Sequence, residues 1–124
     1  YYWRVSNFLQ AKGVPLFDVE NYLESLPITD TSAVLTEKLA DLCDLQGKPD
    51  SAVELYQRAL RLGPSPEQRI QIRLAIANEL LEQNQTSKAI ADYRAILDES
   101  PGYPGDGKIS NTIAALEQKI SSVK

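Results

Sequence analysis

The feature that most constrains this chain is a repeat. "GKPDSAVELYQRALRLGP", residues 47–64, can be laid over "NQTSKAIADYRAILDESP", residues 84–101. Ala52 then matches Ala89, Tyr56 matches Tyr93, Leu60 matches Leu97 and Pro64 matches Pro101, each pair 37 residues apart. Upstream, Leu39 matches Ile76, Ala40 matches Ala77 and Cys43 matches Leu80 in the same register. A more degenerate copy lies 34 residues before the middle one. It sets Val5, Ser6, Leu9, Gly13, Tyr22 and Leu26 under Leu39, Ala40, Cys43, Gly47, Tyr56 and Leu60, with Asp18 under Ala52 and Asp30 under Pro64. A unit this short cannot bury its apolar face alone, so successive units have to stack.

The order of small, aromatic and proline positions resembles the tetratricopeptide repeat, a pair of antiparallel helices of about 34 residues. The second helix of that motif carries a small residue, an aromatic four later, a small residue three later and a closing proline. Ala52, Tyr56, Ala59 and Pro64 satisfy all four. Ala89, Tyr93 and Pro101 satisfy three, with Ile96 in place of the second small residue. In the first helix a large residue precedes an apolar-small pair and an aromatic. The pairs are Val5-Ser6, Leu39-Ala40 and Ile76-Ala77. The large position holds Tyr2, Thr36 and Arg73, and the aromatic is replaced by Leu9, Cys43 and Leu80. The resemblance covers residues 1–101. It implies an all-α fold, a right-handed superhelical array of about three helix-turn-helix repeats plus a C-terminal capping helix. The implied organisation is one domain over 1–124, with a degenerate repeat at 1–30, repeats at 31–64 and 67–101, and a capping helix at 106–123.

Local signals place helices at 1–12, 18–26, 31–46, 49–62, 66–83, 87–99 and 107–122. Gly13, Gly47 and Asn84 occupy the left-handed turn between paired helices. Ser65-Pro66-Glu67-Gln68 reads as a capping box with proline at the first helical position. Asp18 is the expected cap of the second helix, and Thr86 or Ser87 that of the sixth. Ala and Ser at the crossings allow close approach of helices, while Tyr22, Tyr56 and Tyr93 fill wider gaps with their hydroxyls in water. Ile109, Ile113, Leu116, Ile120 and Val123 form one apolar stripe on the last helix, opposite Lys108, Asn111, Glu117, Gln118 and Lys119.

Composition removes several classes of function. There is no histidine and only one cysteine, Cys43, so histidine-based nucleophile pairs and metal sites are excluded, as is an intrachain disulfide. Cys43 falls on an apolar face without a base, as a buried inert thiol does. A net charge of −4 disfavours nucleic acid as a partner. No apolar run is long enough for direct membrane insertion. The chain contains no methionine, even at its start, and reads as a fragment of a larger protein. "PGYPGDGKIS", residues 101–110, has the Gly102, Gly107 and Lys108 spacing of a phosphate loop. It lacks a preceding strand and a hydroxyl residue directly after the lysine, and Asp106 would repel phosphate. It reads as a connector in which Gly102, Pro104, Gly105 and Gly107 break the helix and Asp106 caps the next one. The carboxylate pairs Asp41–Asp44, Asp18–Glu20 and Glu79–Glu82 read as solvated helix faces. No catalytic residue, metal or cofactor is assigned, and the chain reads as a non-enzyme.

The remaining candidate is a groove. By analogy with the family, the first helices would line it with Trp3, Asn7 and Gln10, then Glu37, Asp41 and Asp44, then Gln71, Leu74, Asn78 and Leu81. The acidic middle set favours a basic peptide. Family members that grip a chaperone's C-terminal tail use a cationic clamp. The clamp positions here hold Trp3, Asn7, Lys38, Gln71 and Ala75, with only Asn7 matching, so such a tail is not the expected ligand. The favoured function is a scaffold module that binds a protein or peptide. The alternative is a structural or regulatory appendage of a larger enzyme or membrane-anchored protein, with Tyr1-Tyr2-Trp3 as an interfacial belt after a membrane span.

Overall fold

The computed structural model describes residues 1–100, 102 and 104–123, the last two as backbone only. Pro101, the closing proline of the last repeat, and the Val123 side chain, the end of the apolar stripe, lie outside the described residues. Among the described residues the chain is all-helical, without a strand. The α-helices are α1 (Tyr2–Ala11), α2 (Leu16–Glu24), α3 (Ala33–Leu45), α4 (Pro49–Arg61), α5 (Pro66–Glu82), α6 (Thr86–Glu99) and α7 (Asp106–Val123). All of the expected helices are present, with every end within two residues of its expected place. A 3-10 turn, Pro27–Thr31, was not anticipated.

One turn recurs between α1 and α2, α3 and α4, and α5 and α6. Gly13, Gly47 and Asn84 adopt φ of 81°, 73° and 60°. Their amides donate to the carbonyls of Gln10, Asp44 and Leu81 at 3.1, 3.0 and 3.0 Å. The next amides, of Val14, Lys48 and Gln85, donate to Leu9, Cys43 and Leu80 at 3.1, 3.0 and 2.8 Å. This is the paired bonding of a Schellman motif, which satisfies the last carbonyls of the first helix while reversing the chain. After it, Lys48 and Gln85 are already the residues before α4 and α6. Thr86 and Ser87 therefore lie inside α6 and make no cap bond, contrary to expectation.

The first hairpin has one more residue in its turn. Pro15 precedes α2, so Asp18 sits in the first turn of the helix and does not cap it. The extra residue rotates α2 about its axis. Val19 and Leu23 are fully buried, whereas Asp18 is exposed and Tyr22 half-buried. Val19 and Leu23 thus correspond to Ala52 and Tyr56 at an offset of 33, not the 34 that holds for α1. Ser32 caps α3 through Leu35 N (3.2 Å). Ser65 caps α5 through Gln68 N (3.2 Å), but the Gln68 side chain binds Glu37 instead of completing the box.

Two compact units make up the chain, Tyr1–Ile72 and Arg73–Lys124. In the first, α3 packs against α1, α2 and α4. Val19 and Leu23 of α2 meet Leu35, Leu39 and Leu42 of α3 in its core, with Tyr2 and Leu9 of α1 against them. Ala40, Ala52 and Ala59 are wholly buried, as small residues at close crossings must be. Thr36 holds a position where a large residue was expected. It is buried, and its hydroxyl donates to Thr29 O (2.8 Å), while Thr29 donates to Leu23 O (2.6 Å), tying the 3-10 turn to α2 and α3.

In the second unit, Ile76, Ala77 and Leu80 of α5 and Ala89, Ile90, Tyr93 and Ile96 of α6 are buried. Arg73, at the large position of that repeat, reaches Asp92 (3.4 Å) and Glu99 (2.8 Å) of α6. α7 packs on α6 with Ile109 and Ile113 buried and Leu116 and Ile120 half-buried; the opposite polar set is exposed. It begins at Asp106, so Asp106 and Gly107 are inside the helix rather than ahead of it. The segment before "PGYPGDGKIS" is the helix α6, which leaves no strand to aim a phosphate loop.

Candidate functional site

The residues expected to line a groove lie on α1, α3 and α5. In the first unit, Trp3 is 47% exposed. Asn7 and Gln10 are half-buried, and Gln71 is exposed. The acidic trio of α3 is not uniform. Asp44 is exposed, while Glu37 and Asp41 are half-buried and already bonded. Glu37 accepts from Gln68 Nε2 at 2.9 Å, and burial raises its carboxyl above the ordinary 4.5. Asp41 accepts from the Tyr56 hydroxyl, and burial raises it above 3.8 against the opposing pull of that bond and of Lys38. Two of the three charges assigned to a ligand therefore already serve the fold.

In the second unit, Leu74 and Leu81 are half-buried and Asn78 is exposed. The Asn78 side-chain oxygen accepts from the Tyr93 hydroxyl at 3.3 Å. Asp41–Tyr56 and Asn78–Tyr93 are the same pair in successive repeats: each spans 15 residues, and the two stand 37 apart. The hydroxyls of Tyr56 and Tyr93, expected in water, instead tether α4 to Asp41 of α3 and α6 to Asn78 of α5. Burial raises both phenols, most strongly Tyr56, which also faces the Asp41 carboxylate.

Lys38 is expected from the sequence only as a clamp position that departs from the family pattern, and its buried place is new. It is only 9% exposed, and its Nζ donates to Gln10 Oε1 at 2.7 Å, joining α3 to α1. Burial lowers its pKa, and Asp41 acts in the opposite sense. The available signal was its place between Leu35 and Leu42 at helical spacing, a core-facing position for a charged residue. Cys43 is 2% exposed, and burial pushes its thiol up, away from the reactive thiolate. No described helix is long and apolar enough to cross a membrane.

No protein-family model matches this chain. No curated protein matches it either.

Proposed function

We propose that the chain is a tetratricopeptide-like scaffold module, a right-handed superhelical repeat array without catalytic activity that holds a protein or peptide along its first helices. The observation that carries this reading is the recurrence of one hairpin plan. The same Schellman turn closes three helix pairs, and the same tyrosine tether joins two of them. A repeated plan with divergent exposed residues supports a scaffold whose specificity resides in surface side chains. In the first unit, Trp3 supplies an aromatic contact and Asp44 an unburied negative charge. A peptide pairing an apolar side chain with a lysine or arginine fits them.

The test is binding to an immobilised library of basic, neutral and acidic peptides. Asp44→Lys and Trp3→Ala are the suitable variants, because reversing Glu37 or Asp41 would also break Gln68 and Tyr56 bonds. Basic peptides should be retained, and Asp44→Lys should weaken them about threefold to fivefold, as expected for one exposed ion pair. Trp3→Ala should weaken apolar-basic peptides more than purely basic ones. Unchanged retention by both variants would remove the groove as the site.

A further inference from the structure

A concavity lies on the other helices of the first unit. It is a cleft of about 290 Å³ between α2 and α4, with buried Cys43 of α3 at its floor. That volume is just below the roughly 300–1,000 Å³ typical of drug-sized sites, as suits a smaller ligand. Glu20 and Glu24, one turn apart, form the α2 wall; Ser51, Glu54, Arg58 and Arg61 line α4 at helical spacing. Negative groups thus stand on α2 and positive ones toward the C-terminal end of α4.

Some of these charges are already committed. Glu20, 8% exposed, accepts from Gln46 Nε2 (2.6 Å) and Lys48 Nζ (3.2 Å), and Lys48 also lies 5.7 Å from the centre of the Phe17 ring. Arg58 pairs with Asp30 at 2.6 Å. Glu24 lies beside the Glu20 carboxyl, and burial together with that neighbour raises its pKa above 4.5 against the opposing charge of Lys48. Against burial, the bonds from Gln46 and Lys48 hold Glu20 below 4.5, so Glu24 is the one of the two that keeps its proton more readily. An ammonium group can take that proton's place. Arg61, exposed at the far end of α4, makes no ion pair among the described residues.

We propose that the cleft binds a small dipolar ligand of the amino-acid or short-peptide class, its ammonium on Glu24 and its carboxylate on Arg61, with the committed Glu20 and Arg58 beside them. Both ends are needed. A lone amine would meet Lys48 and the two arginines as well as the carboxyls, and a lone acid would meet Glu54 and Glu24 as well as the arginines. This site is independent of the groove on α1 and α3, so either can fail without the other.

The probe is L-alanyl-L-alanine, titrated into the whole chain and followed by backbone amide NMR shifts. Two relatives of similar size each lack one charge: N-acetyl-L-alanyl-L-alanine has no ammonium, and L-alanyl-L-alaninamide has no carboxylate. Saturable shifts are expected at Glu24, Ser51, Arg58 and Arg61, with each blocked relative at least about tenfold weaker. Glu24→Gln and Arg61→Gln, both at exposed positions, should each weaken the dipeptide about tenfold without unfolding the chain. Affinity should rise with pH through the raised Glu24 range above 4.5, because the proton competes with the ammonium. The facing groups Glu20, Cys43, Lys48, Glu54, Arg58 and Arg61 remain in Arg61→Gln, apart from Arg61 itself, so that variant should keep the pH dependence and Glu24→Gln should lose it. Equal binding of either blocked relative, shifts confined to α1 and α3, or no saturation would overturn the proposal.

Discussion

α2 and α4 hold the same place in successive hairpins, yet they turn different motif positions inward. α4 buries Ala52, Tyr56 and Ala59, whereas α2 buries Val19 and Leu23 and leaves Asp18 outside. The cause is one residue, since Pro15 stands between the Schellman turn and α2 where α4 follows its turn directly. A helix advances about 100° per residue, so one added residue moves the inward face to the next column of side chains. A repeat therefore preserves the turn more faithfully than the face that follows it.

The sharpest way to break this comparison is truncation within α2. Leu23→Ala should destabilise the chain by about 2–5 kcal/mol, as wholly buried leucines do. Tyr22→Ala, the position that the 34-residue register would bury, should cost less. Urea unfolding followed by circular dichroism checks the order, and a reversal would restore the 34-residue register for α2.

A second comparison concerns the tether. Tyr56→Phe removes a bond to a carboxylate and should cost about 1.5–3 kcal/mol, whereas Tyr93→Phe removes a bond to an amide and should cost about 0.5–1.5 kcal/mol. Equal losses in the same unfolding experiment would mean that Asp41 does not act as a charged acceptor.

The turns provide a smaller effect. Nothing lies within 4 Å of a Cβ added at Gly47, so Gly47→Ala should cost only the left-handed backbone penalty, about 1 kcal/mol. Asn84→Gly should gain a few tenths of that unit by the same logic, about 0.3 kcal/mol. A Gly47→Ala loss near zero in thermal unfolding would show that this turn relaxes.

The smallest effect is in pH dependence. The folded-state pKa of Asp41 is raised, so the folded chain holds its proton to higher pH than the unfolded chain does. Its contribution to stability is fully present below 3.8 and is lost as pH rises through the raised value. Asp41→Asn copies the residue found 37 positions later and should flatten the stability profile across that window. An unchanged profile would assign the slope to Glu37, Glu24 or Asp92, each of which burial also raises.

Helix positions were legible because glycine, asparagine and proline set backbone conformation locally. Gly13, Gly47 and Asn84 all adopt the left-handed geometry assigned to them. The capping residues were less legible. Asp18, Thr86 and Ser87 have suitable side chains, but the turn decides which residue stands before the helix, and it selects Pro15 and Gln85. The candidate site was legible as a set of positions and not as a set of free groups. The expected acidic trio contains one exposed carboxylate, Asp44, because Tyr56 and Gln68 reach the other two from α4 and α5.

Sequence alone determined the helices, the left-handed turns and the apolar stripe of α7, since these depend on periodicity and on residues within a few positions of one another. Tertiary structure alone decided which polar groups remain available. Lys38 meets Gln10 across 28 residues and Glu20 meets Lys48 across 28. Such pairings are set by how helices rotate against their neighbours, and a single residue in a turn is enough to change that rotation.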